Sequence, residues 1–384
     1  METECLIVGA GFGGLETAIQ LRRLAKQATI TLLTREPHLV YKPWLVYLPA
    51  QHKRFDQCLI PLEPLAKQHR LRLIVETVTK LSPEEHQVQL ASGERVHYAQ
   101  AVIATGAIAR REAIDGAKSH ALFPCDVEDA QYLREAFLTM KQGAVTLITG
   151  QPRPGPGLEY VGWMARYVQE KHLTDSIQVQ LIDSQPRLMA YLGERAASRL
   201  EQIVSKLGVR LFTGQAVAEI TEQEVRLNAG QRVASDLTAV VGSLHGVDLG
   251  LTAPVVDEQG FVCVNECFQS PAHLDLFAVG DAAALPWGTE VPKTMGMARQ
   301  QAQIVAHNVL AQANGQPQQS FPWEQIRTNL IIAMPDVGGQ TIMVKQRGSV
   351  LLSGSWPLVL RNVLDRSYFR KHTSRRRRRK QESL

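Results

Sequence analysis

The sequence has no apolar run of about 18 residues, the length a helix needs to span a bilayer. It also lacks the opening of a secretory signal, because Met1-Glu2-Thr3-Glu4 leads straight into an apolar strand with no basic stretch before it. Cysteines are few, five in all, and none forms a CxxC pair or meets a histidine at zinc-ligand spacing. Cys5, Cys58, Cys125, Cys263 and Cys267 are therefore read as free thiols of a reducing compartment. Metal sites and disulfide scaffolds drop out, and a soluble or peripheral protein is expected.

Positive charge is missing from most of the chain as well. The net charge is +5, but Arg361–Leu384 carries ten Lys/Arg against two Asp/Glu, which leaves 32 against 35 elsewhere. The body has no excess of cations, and the arginine run has no interleaved aromatics, so a nucleic-acid partner is excluded. At 384 residues, 45% hydrophobic and 21% charged, the chain has room for two globular domains and an appendage.

What is present is a pair of strand–helix–strand units. Cys5–Val8 reads as a buried parallel strand, followed by a glycine turn, a helix from about Gly14 to Ala25 and a strand at Ile30–Leu33. Leu71–Val75, Gln87–Leu90 and Ala101–Ile103 supply further strands. A second unit opens at Ala144–Gly150, with a helix near Leu158–Glu170 and a strand at Ile177–Asp183. Leu274–Val279 is a short apolar strand ending in Gly280-Asp281. The expected fold is α/β, with two Rossmann-like three-layer domains. The first is discontinuous (1–110 and 256–330), the second is inserted (111–255), and a C-terminal region follows (331–384).

Three segments carry binding chemistry. Gly9-Ala10-Gly11-Phe12-Gly13-Gly14 is a GxGxxG turn between a strand and a helix. Gly9 allows the tight turn, Gly11 lets the backbone approach a pyrophosphate, and Gly14 lets helix and strand pack closely. The acid expected about 20 residues on, for an adenosine ribose, falls to Glu36, with Thr34 and Arg35 as alternatives. Ala104-Thr105-Gly106 ends a strand where the chain can pass close to the dinucleotide. Asp275–Ala282 is the strongest motif: a strand ending in Gly280-Asp281, whose carboxylate can accept hydrogen bonds from ribityl hydroxyls.

In this order the segments resemble the FAD/NAD-linked disulfide reductase superfamily. The resemblance is closest to its branch of type II NADH dehydrogenases and sulfide:quinone oxidoreductases. Tyr41-Lys42-Pro43-Trp44, Val291-Pro292-Lys293-Thr294 and Ala306-His307-Asn308 support that branch. The resemblance covers about residues 1–330 and implies FAD as cofactor and a quinone as acceptor. It implies Lys42 and Pro43 beside the isoalloxazine, with Lys293 and Thr294 at its pyrimidine end, opening a helix over Met295–Leu310. The sequence does not set the oligomeric state; a homodimer is compatible with it.

Two donors compete. For sulfide, Phe123-Pro124-Cys125-Asp126-Val127-Glu128 looks like the family's Cys-x-x-Glu segment. The second redox cysteine would fall at Arg153, and the third near Ala333–Asp336, where there is none. One thiol cannot form the disulfide that route needs. For NADH, the resemblance gives Glu159 at the start of the second domain's helix, read as a proton carrier or a helix-surface glutamate. It also gives Asp183 as the acid for the NAD(H) ribose. Against NADH, prolines in Gly150–Gly157 remove amide donors, a loss that Arg153 offsets by charge. NADH is the favoured donor, with NADPH open, and sulfide second. A flavin-binding regulatory or scaffold protein is third.

The C-terminal segment Trp356–Arg370 reads as a helix with Pro at its opening, and Leu360, Val363, Leu364 and Tyr368 on one face. Ser374–Lys380 adds a cationic run. Apolar area plus attraction to anionic lipid is what an interfacial anchor requires. A peripheral position on the cytoplasmic face of the membrane is expected.

Overall fold

A computed structural model describes residues 1–150, 154–288, 291–329, 331–333, 335–345 and 349–373. The chain divides into two compact units. The first comprises Met1–Val40, Leu59–Ile108 and Leu244–Trp323; the second comprises Tyr41–Cys58, Ala109–Ser243 and Glu324–Leu384. These boundaries differ from the expected ones. Tyr41–Cys58 belongs to the second unit, as does the chain from Glu324 on, and the first unit resumes at Leu244.

In the first unit the strand Glu2–Val8 lies between Ile30–Thr34 and Arg95–Ile103, parallel to both. Arg72–Val75 and Leu276–Ala278 extend the parallel core on either side, and Val78–Ser82 and Gln87–Leu90 add an antiparallel meander. Leu6, Ile7, Leu32, Val102, Ile103 and Phe277 are all but inaccessible to water. That is what helices on both faces of a sheet require, and it explains the apolar runs in the sequence. The first helix, Phe12–Leu24, packs along Met295–Ala313.

The second unit holds a parallel sheet in the order Arg210–Thr213, Ile177–Asp183, Gly143–Thr149, Leu237–Val241. Its core gathers Phe123, Ile148, Ile182, Val225 and Val240. Its helix runs Pro154–Glu170 and so starts before the expected Leu158. Pro154 and Pro156 stand in its first turn, where backbone N–H groups have no intrahelical partner and proline removes little. Arg153 and Pro152 lie outside the described residues, as does the Ser374–Lys380 run.

The C-terminal helix Trp356–Thr373 follows an antiparallel sheet of Ile331–Ala333, Thr341–Lys345 and Ser349–Gly354. Its polarity is inverted. The buried stripe contains Leu358, Asp365, Tyr368 and His372, with the Arg361 side chain largely covered. Trp356 is 82% exposed, and Val359, Leu360, Val363 and Leu364 are each about half exposed. Tyr368 is thus not part of the outward apolar face as expected: it packs near Tyr41, ring centroids 5.9 Å apart. The exposed set instead includes Leu351 and Leu352 of the preceding strand.

Candidate functional site

The three binding segments of the first unit meet at the carboxyl edge of its sheet. A row of backbone hydrogen bonds joins them: Gly9 N–H to Leu33 O (2.7 Å), Ala104 N–H to Val8 O (2.8 Å) and Val279 N–H to Ile103 O (3.0 Å). The glycine turn, the Ala104–Gly106 turn and the Gly280-Asp281 strand end are therefore neighbours. This is the crevice where open α/β sheets bind ligands.

The glycines are required by contact. Gly9 has φ +105°, and a Cβ on it would lie 2.3 Å from Ala104 O. A Cβ on Gly14 would lie 1.9 Å from Gly9 O. Gly11 differs: its Cβ would meet no atom within 4 Å, so here the backbone itself is open to a ligand. The helix it caps has no acidic residue in its first turn, leaving its amides and dipole for an outside anion. Glycine cradle and uncompensated helix N-terminus together fit the pyrophosphate of a dinucleotide. Phe12 is half-buried beside them, and Thr105 and Gly106 are also half-buried.

A second helix N-terminus stands at the same edge. Gly280 N–H donates to Gln301 Oε1 (2.9 Å), and a Cβ on Gly280 would touch Ala298 Cβ at 3.5 Å, so Gly280-Asp281 lies against the first turns of Met295–Ala313. Thr294 caps that helix, its Oγ1 accepting from Met297 N–H (3.3 Å). Lys293 is not a solvated lysine. Its Nζ donates to Asp281 O (2.7 Å) and Ala283 O (3.3 Å) and lies 4.3 Å from the Phe261 ring centre. The ammonium is thus fixed on the Asp281 turn. Past the neighbouring strand end, Arg35 and Glu36 are exposed and pair with each other at 3.3 Å, while Thr34 Oγ1 donates to Glu36 O (3.3 Å). Lys42 is exposed and belongs to the second unit.

In the second unit Glu159 is buried, which overturns the helix-surface reading. It accepts from Asp336 N–H (2.8 Å) and forms an ion pair with Arg361. Burial pushes its carboxyl up, against the pull of the Arg361 guanidinium. Asp336 accepts from Tyr47 Oη (2.8 Å) and Gly339 N–H (2.9 Å). Asp365 accepts from Tyr41 Oη (2.7 Å) and lies 3.9 Å from Arg361. Close packing places these groups: a Cβ on Gly162 would lie 2.7 Å from Gly338 N, so the Asp336 turn sits on the Glu159 helix. Asp336, Arg361, Asp365, Tyr41 and Tyr47 were not expected at a site. The available signals were Arg361 and Asp365, one turn apart on the C-terminal helix, and the Gly338-Gly339 pair.

Cys125 is half-buried, next to Pro124, whose carbonyl accepts from Tyr160 Oη (2.9 Å). Asp183 is fully buried at its strand end; one carboxylate oxygen accepts from Gln185 N–H (2.9 Å) and the other has no hydrogen-bond partner among the described residues. Burial pushes its carboxyl up to about 6. No group of His, Cys, Asp and Glu able to hold a metal occurs among the described residues, and no described helix is long and apolar enough to cross a membrane.

Comparison with known proteins agrees with this geometry. The sulfide-quinone reductase of Aquifex aeolicus is 27% identical over 342 residues, 84% of this chain and 79% of that one. A type II NADH:quinone oxidoreductase of Staphylococcus epidermidis is 23% identical over 349 residues, 83% of this chain and 84% of that one. Among solved structures, the Aquifex aeolicus sulfide:quinone oxidoreductase matches with a TM-score of 0.84 and 23% identity, over 97% of this chain and 92% of that one. NDH2 from Plasmodium falciparum in complex with NADH matches at 0.79 and 14%, over 97% of each chain. The last two likenesses concern the fold alone. The profile of the pyridine nucleotide-disulphide oxidoreductases matches residues 3–302. The chain therefore belongs to the pyridine nucleotide-disulphide oxidoreductase family, oxidoreductases that use FAD.

Proposed function

We propose that this chain takes two electrons from NADH and passes them through bound FAD to a quinone at a membrane surface. The observation that carries the reading is the meeting of Gly9–Gly14, Ala104–Gly106 and Gly280-Asp281 beneath two helix N-termini. The amides of Gly11–Gly13 bind the pyrophosphate, and the Asp281 carboxylate accepts from ribityl hydroxyls. Arg35 or Glu36 meets the adenosine ribose. FAD, when bound, supplies the two-electron chemistry. The N-terminus at Thr294 offers partial positive charge where negative charge develops, and Lys293 holds the Asp281 turn in place while adding its own charge. Lys42 beside the ring rests on the family resemblance.

A nicotinamide donor is supported by Asp183, whose second oxygen has no partner among the described residues and suits the donors that ribose hydroxyls offer. Sulfide is the second reading, favoured by Cys125 and by the Aquifex aeolicus relative; positions 153 and 333–336 lack the other thiols. Anaerobic titration of the holoprotein with NADH, NADPH and sulfide decides between them. NADH is expected to bleach the flavin band, with Asp183→Asn needing about tenfold more, the loss of ~1.5 kcal/mol from one charge-assisted hydrogen bond. If neither nucleotide bleaches a flavin that dithionite reduces, the NADH reading is wrong.

Membrane attachment is supported by the outward apolar face of Trp356, Val359, Leu360, Val363 and Leu364 together with Leu351 and Leu352. The basic tail adds attraction to anionic lipid on the order of 1 kcal/mol per residue near the surface. Val363→Asp with Leu364→Asp is expected to abolish sedimentation with anionic vesicles, and deletion of Ser374–Leu384 to reduce it. Unchanged sedimentation of both would remove the membrane from the account.

A further inference from the structure

The helix Trp356–Thr373 changes character along its length as well as around it. Trp356, Val359, Leu360, Val363 and Leu364 are exposed in its first half. In its second half arginines take over the same side. Val359, Val363, Arg366 and Arg370 recur at i, i+4, i+7 and i+11, one row on a helix surface, and all four are exposed. The apolar and cationic stretches are centred at the levels of Leu360 and Tyr368, about 12 Å apart at roughly 1.5 Å per residue.

A third cation stands beside the second half. Lys53 is half-buried, and its Nζ lies 4.0 Å from the Trp44 ring centre. Trp44 in turn stacks on Phe369 of the helix, ring centroids 4.8 Å apart. The ammonium is therefore held against the cationic end. Burial is the chief cause that holds its pKa below the usual lysine range, and Arg366 adds to it, while Cys58 and Asp365 pull the other way. Asp365 does not neutralise this edge, because it is buried, accepts from Tyr41 Oη and lies 3.9 Å from Arg361. Lys53, Arg366 and Arg370 form no ion pair with a carboxylate among the described residues. Cations gathered without an anion of their own attract one.

We propose that Lys53, Arg366 and Arg370 form a site for the phosphate of an anionic phospholipid, and that the helix enters the bilayer surface obliquely, its Trp356 end among the acyl chains and its cationic end at the phosphates. This site rests on the membrane reading above, and it puts part of the attraction in the folded chain as well as in the tail. Each headgroup layer is roughly 5–8 Å deep, from a core of about 30 Å in a bilayer of about 40–45 Å. A helix lying flat would hold Val359 and Arg370 at one depth. With ~12 Å between the two stretches, an inclination of roughly 25–40° sets one in the acyl layer and the other at the phosphates. Leu351 and Leu352, exposed on the strand before Trp356, extend the apolar end. A lipid phosphate is an anion fixed at the required depth, able to accept from an ammonium and a guanidinium together. A second copy of the chain suits this face less well. The helix has no exposed carboxylate, so Arg366 and Arg370 would be buried without a partner.

The test uses full-length protein with vesicles of phosphatidylcholine alone and vesicles that also contain phosphatidylglycerol. Lys53→Gln with Arg366→Gln is expected to weaken binding to the phosphatidylglycerol vesicles about thirtyfold, a factor of about five per cation. Binding to phosphatidylcholine and the urea midpoint should stay as in the wild type. Nitroxides on the acyl chains should quench a part of the tryptophan emission that Trp356→Phe removes. Nitroxides at the headgroup should quench a part that Trp356→Phe keeps. Equal binding of the double variant and the wild type to phosphatidylglycerol vesicles, or Trp356 emission quenched only from the headgroup, would overturn the proposal. So would release from vesicles by inorganic phosphate at matched ionic strength, which assigns the cations to a free anion. Self-association that Val363→Asp with Leu364→Asp abolishes, without vesicle binding, would give the face to a second copy. A wild-type protein that ignores both kinds of vesicle defeats the membrane reading and this site together. One that binds them but fails the substitution and quenching measurements defeats the site alone.

Discussion

Replacing Gly14 by valine is expected to yield a protein that no longer holds FAD and has lost about 3 kcal/mol of stability. The cause is local. A Cβ at this position would lie 1.9 Å from Gly9 O and 2.9 Å from Ala104 Cβ, and both belong to the turns that form the crevice. Helix Phe12–Leu24 must then move off the strand that ends at Val8, and its N-terminal amides leave the anion position. Gly11→Ala is the control with opposite character. With no atom within 4 Å of its Cβ it should fold as the wild type does, yet bind FAD about tenfold more weakly, ~1.4 kcal/mol, because the methyl occupies the ligand's approach. Flavin absorbance per chain and urea denaturation of both variants check the pair. A yellow, fully stable Gly14→Val protein would show that the crevice is not built as described.

The second large effect is expected at Arg361. Arg361→Met should destabilise the second unit by about 3–5 kcal/mol at neutral pH, since it leaves buried carboxylates without their cation. The loss should depend on pH with a defined sign. Removing the guanidinium moves the folded Glu159 carboxyl still further above its unfolded value, so in that window the folded state binds more protons than the unfolded one. Stability of the variant therefore falls as pH rises from the unfolded carboxylate range, about 4.3, through the folded value. Denaturation midpoints of variant and wild type should converge in acid and separate towards alkaline pH. A loss independent of pH would mean that Arg361 acts by packing alone.

The parts of this protein legible in its sequence are those in which neighbours along the chain decide the structure. Cys5–Val8, Ile30–Leu33 and Ile177–Asp183 are strands because continuous apolar runs between turn residues suit a sheet covered on both faces. The glycine turn is legible because a positive φ at Gly9 and the approach of Ala104 leave no choice of residue. The C-terminal helix shows the limit. Its periodicity groups Leu360, Val363 and Leu364 correctly but puts Tyr368 with them, and it does not say which face meets protein. Here the face with Arg361, Asp365 and Tyr368 turns inward, and Leu360 and Leu364 turn outward.

The buried cluster was illegible for a related reason. Glu159 and Arg361 are 202 residues apart, and nothing local to either records the other. A glutamate at a helix start reads as a surface residue until Gly162 is seen against Gly338, a contact only the folded chain supplies. The same holds for Lys293. Its proximity to Asp281 in sequence is visible, but not that its ammonium is held by the Asp281 and Ala283 carbonyls.

We propose that backbone amides at the glycine turn and the Asp281 turn grip one dinucleotide. The direct measurement is the visible spectrum, with released-nucleotide content, of the full-length protein purified from riboflavin-replete cells. A yellow protein with about one FAD per chain is expected, the colour being lost in Gly14→Val. A colourless wild-type protein that fails to take up added FAD would contradict it.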